Sequence, residues 1–354
     1  MRAAHPATTD SLALSDGRIV TLVEPIGRGS VGEVHRGVVE GAWGVRRPVA
    51  VKLYDTSADQ DSGDVMRRLG RVARHAAGVR HPAFIQILEV DQTDDYHQPR
   101  PFAVMELVTG ESLASLLRSW REHGLRVPVD FALVVALKAA EALGAALFSE
   151  SADGSLTSLL HGDLSPRQIL VSDQGEVKVG DFGQGALYDP VSHVRSRSAI
   201  AYTAPEVARG LPRDARADVF SLGAMLHEML VGPRFAAGTG TADALDMVRD
   251  AEFHMSLVEP NLPRALRKIV DRAVAANPIQ RYAHARALSF DLRREMLRMG
   301  LCDAQTSIRQ AVVGWCEVRT PTLTSEIASP RRSDVVPKLD AEDTIPEIRR
   351  ADLK

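Results

Sequence analysis

His161-Gly162-Asp163-Leu164-Ser165-Pro166-Arg167-Gln168-Ile169-Leu170 and, soon after, Val177-Lys178-Val179-Gly180-Asp181-Phe182-Gly183 are the stretches on which the reading of this chain turns. Each sets an aspartate at the edge of a short apolar run, and the two aspartates lie about eighteen residues apart. Short apolar runs bounded by Gly, Ser and Asp read as strands joined by turns. A single Asp in such a turn ordinarily caps it or forms an Asx-turn. A pair in this order suits phosphoryl transfer. One carboxylate accepts the proton of an attacking hydroxyl, and the other holds the metal that neutralises a triphosphate.

Upstream, Gly27-Arg28-Gly29-Ser30-Val31-Gly32-Glu33-Val34 fits G-x-G-x-x-G-x-V. Glycines let a backbone approach phosphate oxygens because no Cβ intervenes. The spacing alone also marks dinucleotide folds, but those continue into a helix. Here Val34 to Val39 continues as a strand, so Arg18 to Val39 reads as a β-hairpin closing over phosphates. About twenty residues on, Val49-Ala50-Val51-Lys52-Leu53 is an apolar strand carrying one lysine. Such a lysine either snorkels to water or meets buried negative charge.

Downstream lie Ala204-Pro205-Glu206, then Asp218-Val219-Phe220-Ser221-Leu222-Gly223, then Arg281 in Asn-Pro-Ile-Gln-Arg-Tyr. With these, the sequence resembles the eukaryotic-like (Hanks-type) protein kinases of bacteria across roughly Arg18 to Met299. The resemblance implies an α+β, two-lobed protein-kinase-like fold, with a small antiparallel β-sheet N-lobe and a mainly helical C-lobe. It implies ATP and magnesium (Mg2+) as cofactors and a protein substrate. By it, Gly27, Gly29 and Gly32 cover the phosphates, Ile26, Val34 and Ala50 enclose the adenine from above, and Leu170 does so from below. Met105 falls at the gatekeeper position, and Glu106 and Val108 where backbone groups bond the base. Lys52 would hold the α- and β-phosphates, Asp181 and Gln168 the metal, and Asp163 would be the catalytic base. Glu206 and Arg281 would form a buried pair that braces the substrate lobe.

The sequence departs from the family pattern in four places. No acidic residue lies between Val65 and Leu88, so the helix that should offer Lys52 a glutamate offers Arg67, Arg68, Arg71 and Arg74. Asp181 is the alternative partner. Gln168 replaces the asparagine of the second metal site, one methylene longer, and octahedral magnesium tolerates little displacement. Ser165 replaces the lysine that steadies the transferring phosphate, while Arg167, two residues later, either takes over that charge or faces solvent. Gly162 replaces an arginine, which weakens Ser192, Ser196 and Ser198 as phosphorylated switch sites. Ala199 replaces a threonine that contacts the catalytic aspartate.

The remaining chain fits this frame. Helical spacing covers Asp64–Val79, Ser112–His123, Asp130–Glu150, Ala217–Val231, Thr241–Ala251, Leu262–Ala275 and Ala283–Met299, and Phe84–Val90 and Pro101–Leu107 read as strands. The expected organisation is a flexible tail over 1–17, a kinase domain over 18–300 (N-lobe 18–108, C-lobe 109–300) and a disordered Ser/Thr/Pro-rich tail over 301–354. Forty-three basic and 46 acidic side chains give a net charge of -3, which offers no reason to expect nucleic acid as partner. Two cysteines, Cys302 and Cys316, match no metal spacing and suggest a reducing compartment. The opening residues lack an apolar signal core, and no run reaches the roughly 20 apolar residues of a membrane helix. These features predict a cytoplasmic protein without membrane insertion. Three functions remain open: a protein kinase acting on Ser or Thr, a pseudokinase that binds nucleotide or serves as a scaffold, and a small-molecule phosphotransferase sharing the His-Gly-Asp spelling.

Overall fold

Six antiparallel strands form the first lobe of the computed structural model, which describes residues 11–29, 31–56, 62–93, 99–150, 154–183, 200–235, 239–250, 262–301 and 308. They are β1 (Ser11–Ala13), β2 (Ile19–Gly29), β3 (Gly32–Glu40), β4 (Arg46–Tyr54), β5 (Ile87–Gln92) and β6 (Pro101–Glu106), in the order β1-β2-β3-β4-β6-β5. Period-two alternation gives the sheet two unlike faces. Val49, Val51 and Leu53 of β4 join Val20, Val39, Phe102 and Val104 in a closed apolar cluster on one side. Ala50 and Lys52 must then face the other side. Register carries this across the sheet: Val34 pairs with Lys52, and Met105 pairs with Ala50. Sheet pairing therefore puts Val34, Ala50, Lys52 and Met105 on one surface.

Helix α1 (Ser62–Ala76) joins β4 to β5 and buries Val65, Leu69, Val72 and Ala76, a spacing of one helical face. Asp64 in its first turn pairs with Arg67 and Arg68.

The second lobe opens with β7 (Gly110–Ser112) and α2 (Leu113–Glu122), whose N-cap Ser112 accepts a hydrogen bond from Ser115 N. Then come α3 (Val129–Leu147), β8 (Ser149–Glu150), β9 (Leu156–Thr157), β10 (Ile169–Ser172), β11 (Val177–Val179), α4 (Pro205–Ala208), α5 (Ala215–Val231), α6 (Thr241–Arg249), α7 (Arg264–Ala273) and α8 (Ala285–Arg298). Strands β11, β10 and β7 form a small sheet that carries Leu170, and Asp181 follows two residues after β11. Helices α3 and α5 are buried almost all round, so α7 and α8 pack against them as an outer layer.

The expected fold class is the observed one. Several element boundaries differ for physical reasons. Ser11–Ala13, assigned by polarity to a tail over 1–17, pairs with β2, and Leu14 is buried in the sheet's closed cluster. The strand expected over Phe84–Val90 starts at Ile87, because Ala83 and Ile85 bond the backbone of Val179 instead. That contact ties the two sheets together. Helix α3 ends at Leu147, since Ser149 and Glu150 pair with Leu156 and Thr157. Ile308 lies past the expected boundary at 300 yet is buried in the main core. Among the described residues no helix is long and apolar enough to cross a membrane. Ser192, Ser196, Ser198, Ala199, Cys302, Cys316 and the expected tail from 309 onward lie outside the described residues.

Candidate active site

Lys52 reaches the cleft surface by the alternation of β4 and is only 4% exposed. A buried ammonium needs a partner, and its partner is Asp181, Nζ to Oδ1 at 2.8 Å. These residues are 129 apart in sequence. Helix α1 supplies no acid to Lys52. Asp181 has φ of 60°, the left-handed region that a non-glycine residue enters at a cost of about 1–3 kcal/mol. The neighbours that impose this are clear. Phe182 is buried against Phe84, ring centroids 4.5 Å apart, and against His161 at 4.9 Å. Gly183 packs on Val72 of α1 so closely that a Cβ there would lie 2.7 Å from it.

The loop that carries Asp163 is pinned from below. Asp218, at the start of α5, accepts hydrogen bonds from His161 N and Gly162 N, both at 2.9 Å. His161 is fully buried; its Nε2 meets Gly180 O at 2.9 Å and its Nδ1 meets Asp163 N at 3.3 Å. A carbonyl accepts and an amide donates, so the ring carries its proton on Nε2 and is neutral. Burial, the dominant influence, pushes its pKa below the ordinary value. Burial likewise dominates at Asp163, raising its pKa to about 6. Arg213 lowers it, Asp181 raises it, and Lys52 and Asp218 act in smaller, opposite senses.

The residues expected to line a nucleotide site take these places. Val34, Ala50 and Met105 share a face with Lys52. Gly32 is buried with φ of 150°, and a Cβ would lie 2.0 Å from Leu53 O, so no other residue fits there. Gly27 and Gly29 lie on the exposed part of the β2–β3 hairpin. Ile26 sits at a register shift between Pro25 and Gly27 and is half exposed. Met105 leads to Glu106, whose backbone N donates to Gln86 O and whose side chain pairs with Lys178 of β11. The Val108 N–H makes no hydrogen bond among the described residues, leaving it available to a base. Leu170, paired with Lys178 and Ser112, is half-buried on the second lobe's small sheet.

Two expected residues sit differently. Gln168 Oε1 accepts from Ser165 N at 3.0 Å and Ser165 Oγ at 2.5 Å. An amide oxygen has two lone pairs, and both are used. The substitutions at 165 and 168 thus form one hydrogen-bonded lock inside the loop, which engages the Gln168 oxygen expected to meet a metal. Arg167 is exposed, with no side-chain partner among the described residues. Asp181 Oδ2, in contrast, makes no hydrogen bond or ion pair among the described residues. Among the described residues no group of three acids, His or Cys converges to hold an ion unaided. A divalent ion here would rest on Asp181 and on oxygens of a bound phosphate, which is how magnesium commonly binds.

Sequence reasoning missed Asp218 as the clamp of the His161–Gly162 backbone and Arg213 as a neighbour of Asp163. The first is a backbone contact and the second a contact between loops, and neither follows from spacing. Glu206 and Arg281 are paired as expected, in a two-pronged arrangement at 2.6 and 2.7 Å.

A profile described as "Protein tyrosine and serine/threonine kinase" matches residues 20–289. Serine/threonine-protein kinase PknB of Mycolicibacterium smegmatis is 32% identical over 77% of this chain and 42% of its own length. The PknB of Mycobacterium tuberculosis is 31% identical over 91% of this chain and 49% of its own length. Tyrosine-protein kinase MasK of Myxococcus xanthus is 29% identical over 80% of this chain and 45% of its own length. The chain therefore spans less than half the length of these relatives.

Proposed function

The chain belongs to the protein tyrosine and serine/threonine kinase family, and from that premise we propose that it transfers the γ-phosphate of ATP, with magnesium, to Ser or Thr of a protein substrate. The reading rests on one observation above others: the Lys52–Asp181 pair at 2.8 Å under a sheet face shared by Val34, Ala50 and Met105. A cation and two carboxylates converge there from three distant segments.

In this reading Val34, Ala50 and Leu170 hold the adenine, with Met105 behind it and Val108 N–H bonding the ring. Gly27, Gly29 and Gly32 lie over the phosphates, and Lys52 draws the α- and β-phosphates toward Asp181. Magnesium would be held by Asp181, and it supplies neutralisation of the charge on the phosphates. Asp163 accepts the proton of the substrate hydroxyl as that oxygen attacks the γ-phosphorus. A base with a pKa near 6 is ionised at neutral pH and still basic enough to take the proton. Arg167, exposed on the loop between Asp163 and β10, would meet the substrate or the moving phosphate. Residues 18–300, extended by the strand at 11–13, form the unit that carries this chemistry.

Labelling from γ-labelled ATP tests the proposal. Wild type is expected to label itself or a generic protein, and Lys52→Met and Asp163→Asn are expected not to. Absence of label with both magnesium and manganese would overturn it. A second reading, a nucleotide-holding module without turnover, is favoured by the Ser165–Gln168 lock, which removes one metal ligand. It predicts a thermal shift with ATP that needs no metal, and no label.

A further inference from the structure

The outer layer of the second lobe carries a charged groove that the machinery above does not use. It lies between α7 and α8 and holds about 510 Å3. Helix α7 buries Leu266, Ile269, Val270 and Ala273 on one face. Arg264, Lys268 and Arg272, each four residues from the next, form a separate exposed stripe, and all three line the groove. Arg294 and Arg298, also four apart, line it from α8. Ala265 and Ile269 give it apolar ground between the cations.

These charges are unevenly committed. Arg294 pairs with Asp291 at 2.7 Å and Arg298 with Glu295 at 3.6 Å, both within α8. Asp291 also accepts from the Tyr282 hydroxyl at 2.9 Å. Arg272 lies over the Tyr282 ring, 4.2 Å from its centroid. Arg264 and Lys268 pair with no acid among the described residues. Five cations thus line one concave surface with two acids, on a chain whose net charge is -3.

The spacing indicates the ligand. Four helical residues advance about 6 Å, so the α7 stripe sets its three cations over about 12 Å. An extended peptide advances about 6.6 Å per two residues, and those two side chains share a face. Carboxylates at alternate positions of a strand therefore fall opposite Arg264, Lys268 and Arg272 in turn. Asp291 and Glu295 would repel a continuous phosphate backbone, and a flat membrane surface does not enter a groove.

We propose that the groove between α7 and α8 docks an acidic segment of a partner protein, bound as an extended strand whose alternate carboxylates meet Arg264, Lys268 and Arg272. The proposal stands apart from the phosphate-transfer reading, since none of these side chains belongs to the candidate active site and binding is measured without ATP.

The test is fluorescence anisotropy at low ionic strength, with the full chain and a dye-labelled synthetic peptide carrying glutamates at alternate positions and alanines between. Each reversal of a groove cation replaces an attraction by a repulsion, so Arg264→Glu with Lys268→Glu is expected to weaken binding at least about tenfold. The same reversal at Arg80 and Arg118, exposed and outside the groove, is expected to change it less than about twofold. A peptide of equal composition with its glutamates contiguous is expected to bind about fivefold more weakly or worse. No binding, equal binding of the two peptides, or equal losses in the two double variants overturns the proposal. So does tighter binding of a single-stranded oligonucleotide or of phosphatidylserine vesicles that the groove variant loses, which would assign the surface to phosphate polyanions. Should the reversed variant fail to fold, Arg264→Ala with Lys268→Ala must weaken the alternating peptide by about threefold or more, and an unchanged affinity sinks the idea.

Discussion

Two ion pairs of this molecule, Glu206–Arg281 and Lys52–Asp181, are built differently. Glu206–Arg281 is two-pronged, and the guanidinium's other donors go to the carbonyls of Ala275, Ala276 and Arg216. Arg281 also lies over the Phe220 ring at 4.8 Å. Every donor is used, and the pair links α4 to the segment before α8. Lys52–Asp181 is a single contact, its carboxylate keeps 28% exposure, and its second oxygen is unbonded among the described residues. The difference separates scaffold from working site. A pair with every group satisfied braces the fold, whereas a pair with an open side can exchange its partner for a ligand.

Breaking the first pair should produce the largest effect. Arg281→Met leaves Glu206 buried and unpaired, and should cost about 3–5 kcal/mol in denaturant unfolding. The double variant Arg281→Met with Glu206→Leu should recover part of that loss, because no unpaired charge remains. Breaking the second pair should spare the fold and remove the ligand. Lys52→Met should change stability by about 1 kcal/mol or less, since Asp181 can be hydrated from its open side, while weakening ATP binding at least about tenfold in calorimetry. Equal stability losses at the two sites would erase the distinction.

The pH dependence sharpens it further. Asp163 has a pKa raised from 3.8 to about 6, so its base form is lost as pH falls through that value. Turnover should drop about tenfold per pH unit below about 6. The same shift acts on stability with the opposite preference. The fold binds the Asp163 proton more tightly than the unfolded chain does, so ionisation destabilises the fold above pH 6 and has no effect below 3.8. Asp163→Asn should therefore raise the melting temperature at pH 7.5, and the gain should vanish near pH 4. The smallest expected effect concerns the loop lock. Gln168→Asn shortens the side chain, releases its oxygen from Ser165, and should lower the magnesium needed for half-maximal labelling by roughly three- to tenfold, the worth of about 1 kcal/mol.

What the sequence alone determined is the set of parts and their order. The Gly-rich hairpin, the lysine strand and the two aspartate turns follow from local pattern, and the pair formed by Glu206 and Arg281 from the resemblance to a known family. The shared face of Val34, Ala50, Lys52 and Met105 needs strand register as well as the period of two, and the sheet supplies that register. What only the tertiary structure decided is how the charges are shared out. The partner of Lys52 lies 129 residues away. The Gln168 oxygen is engaged by the amide and hydroxyl of Ser165. Asp218 of α5 holds the backbone of His161 and Gly162 from 56 and 57 residues away. Local propensity acts over a few residues, but burial and Coulomb interaction act across space. A side chain's partner, and hence its pKa, is set only when the chain has closed on itself.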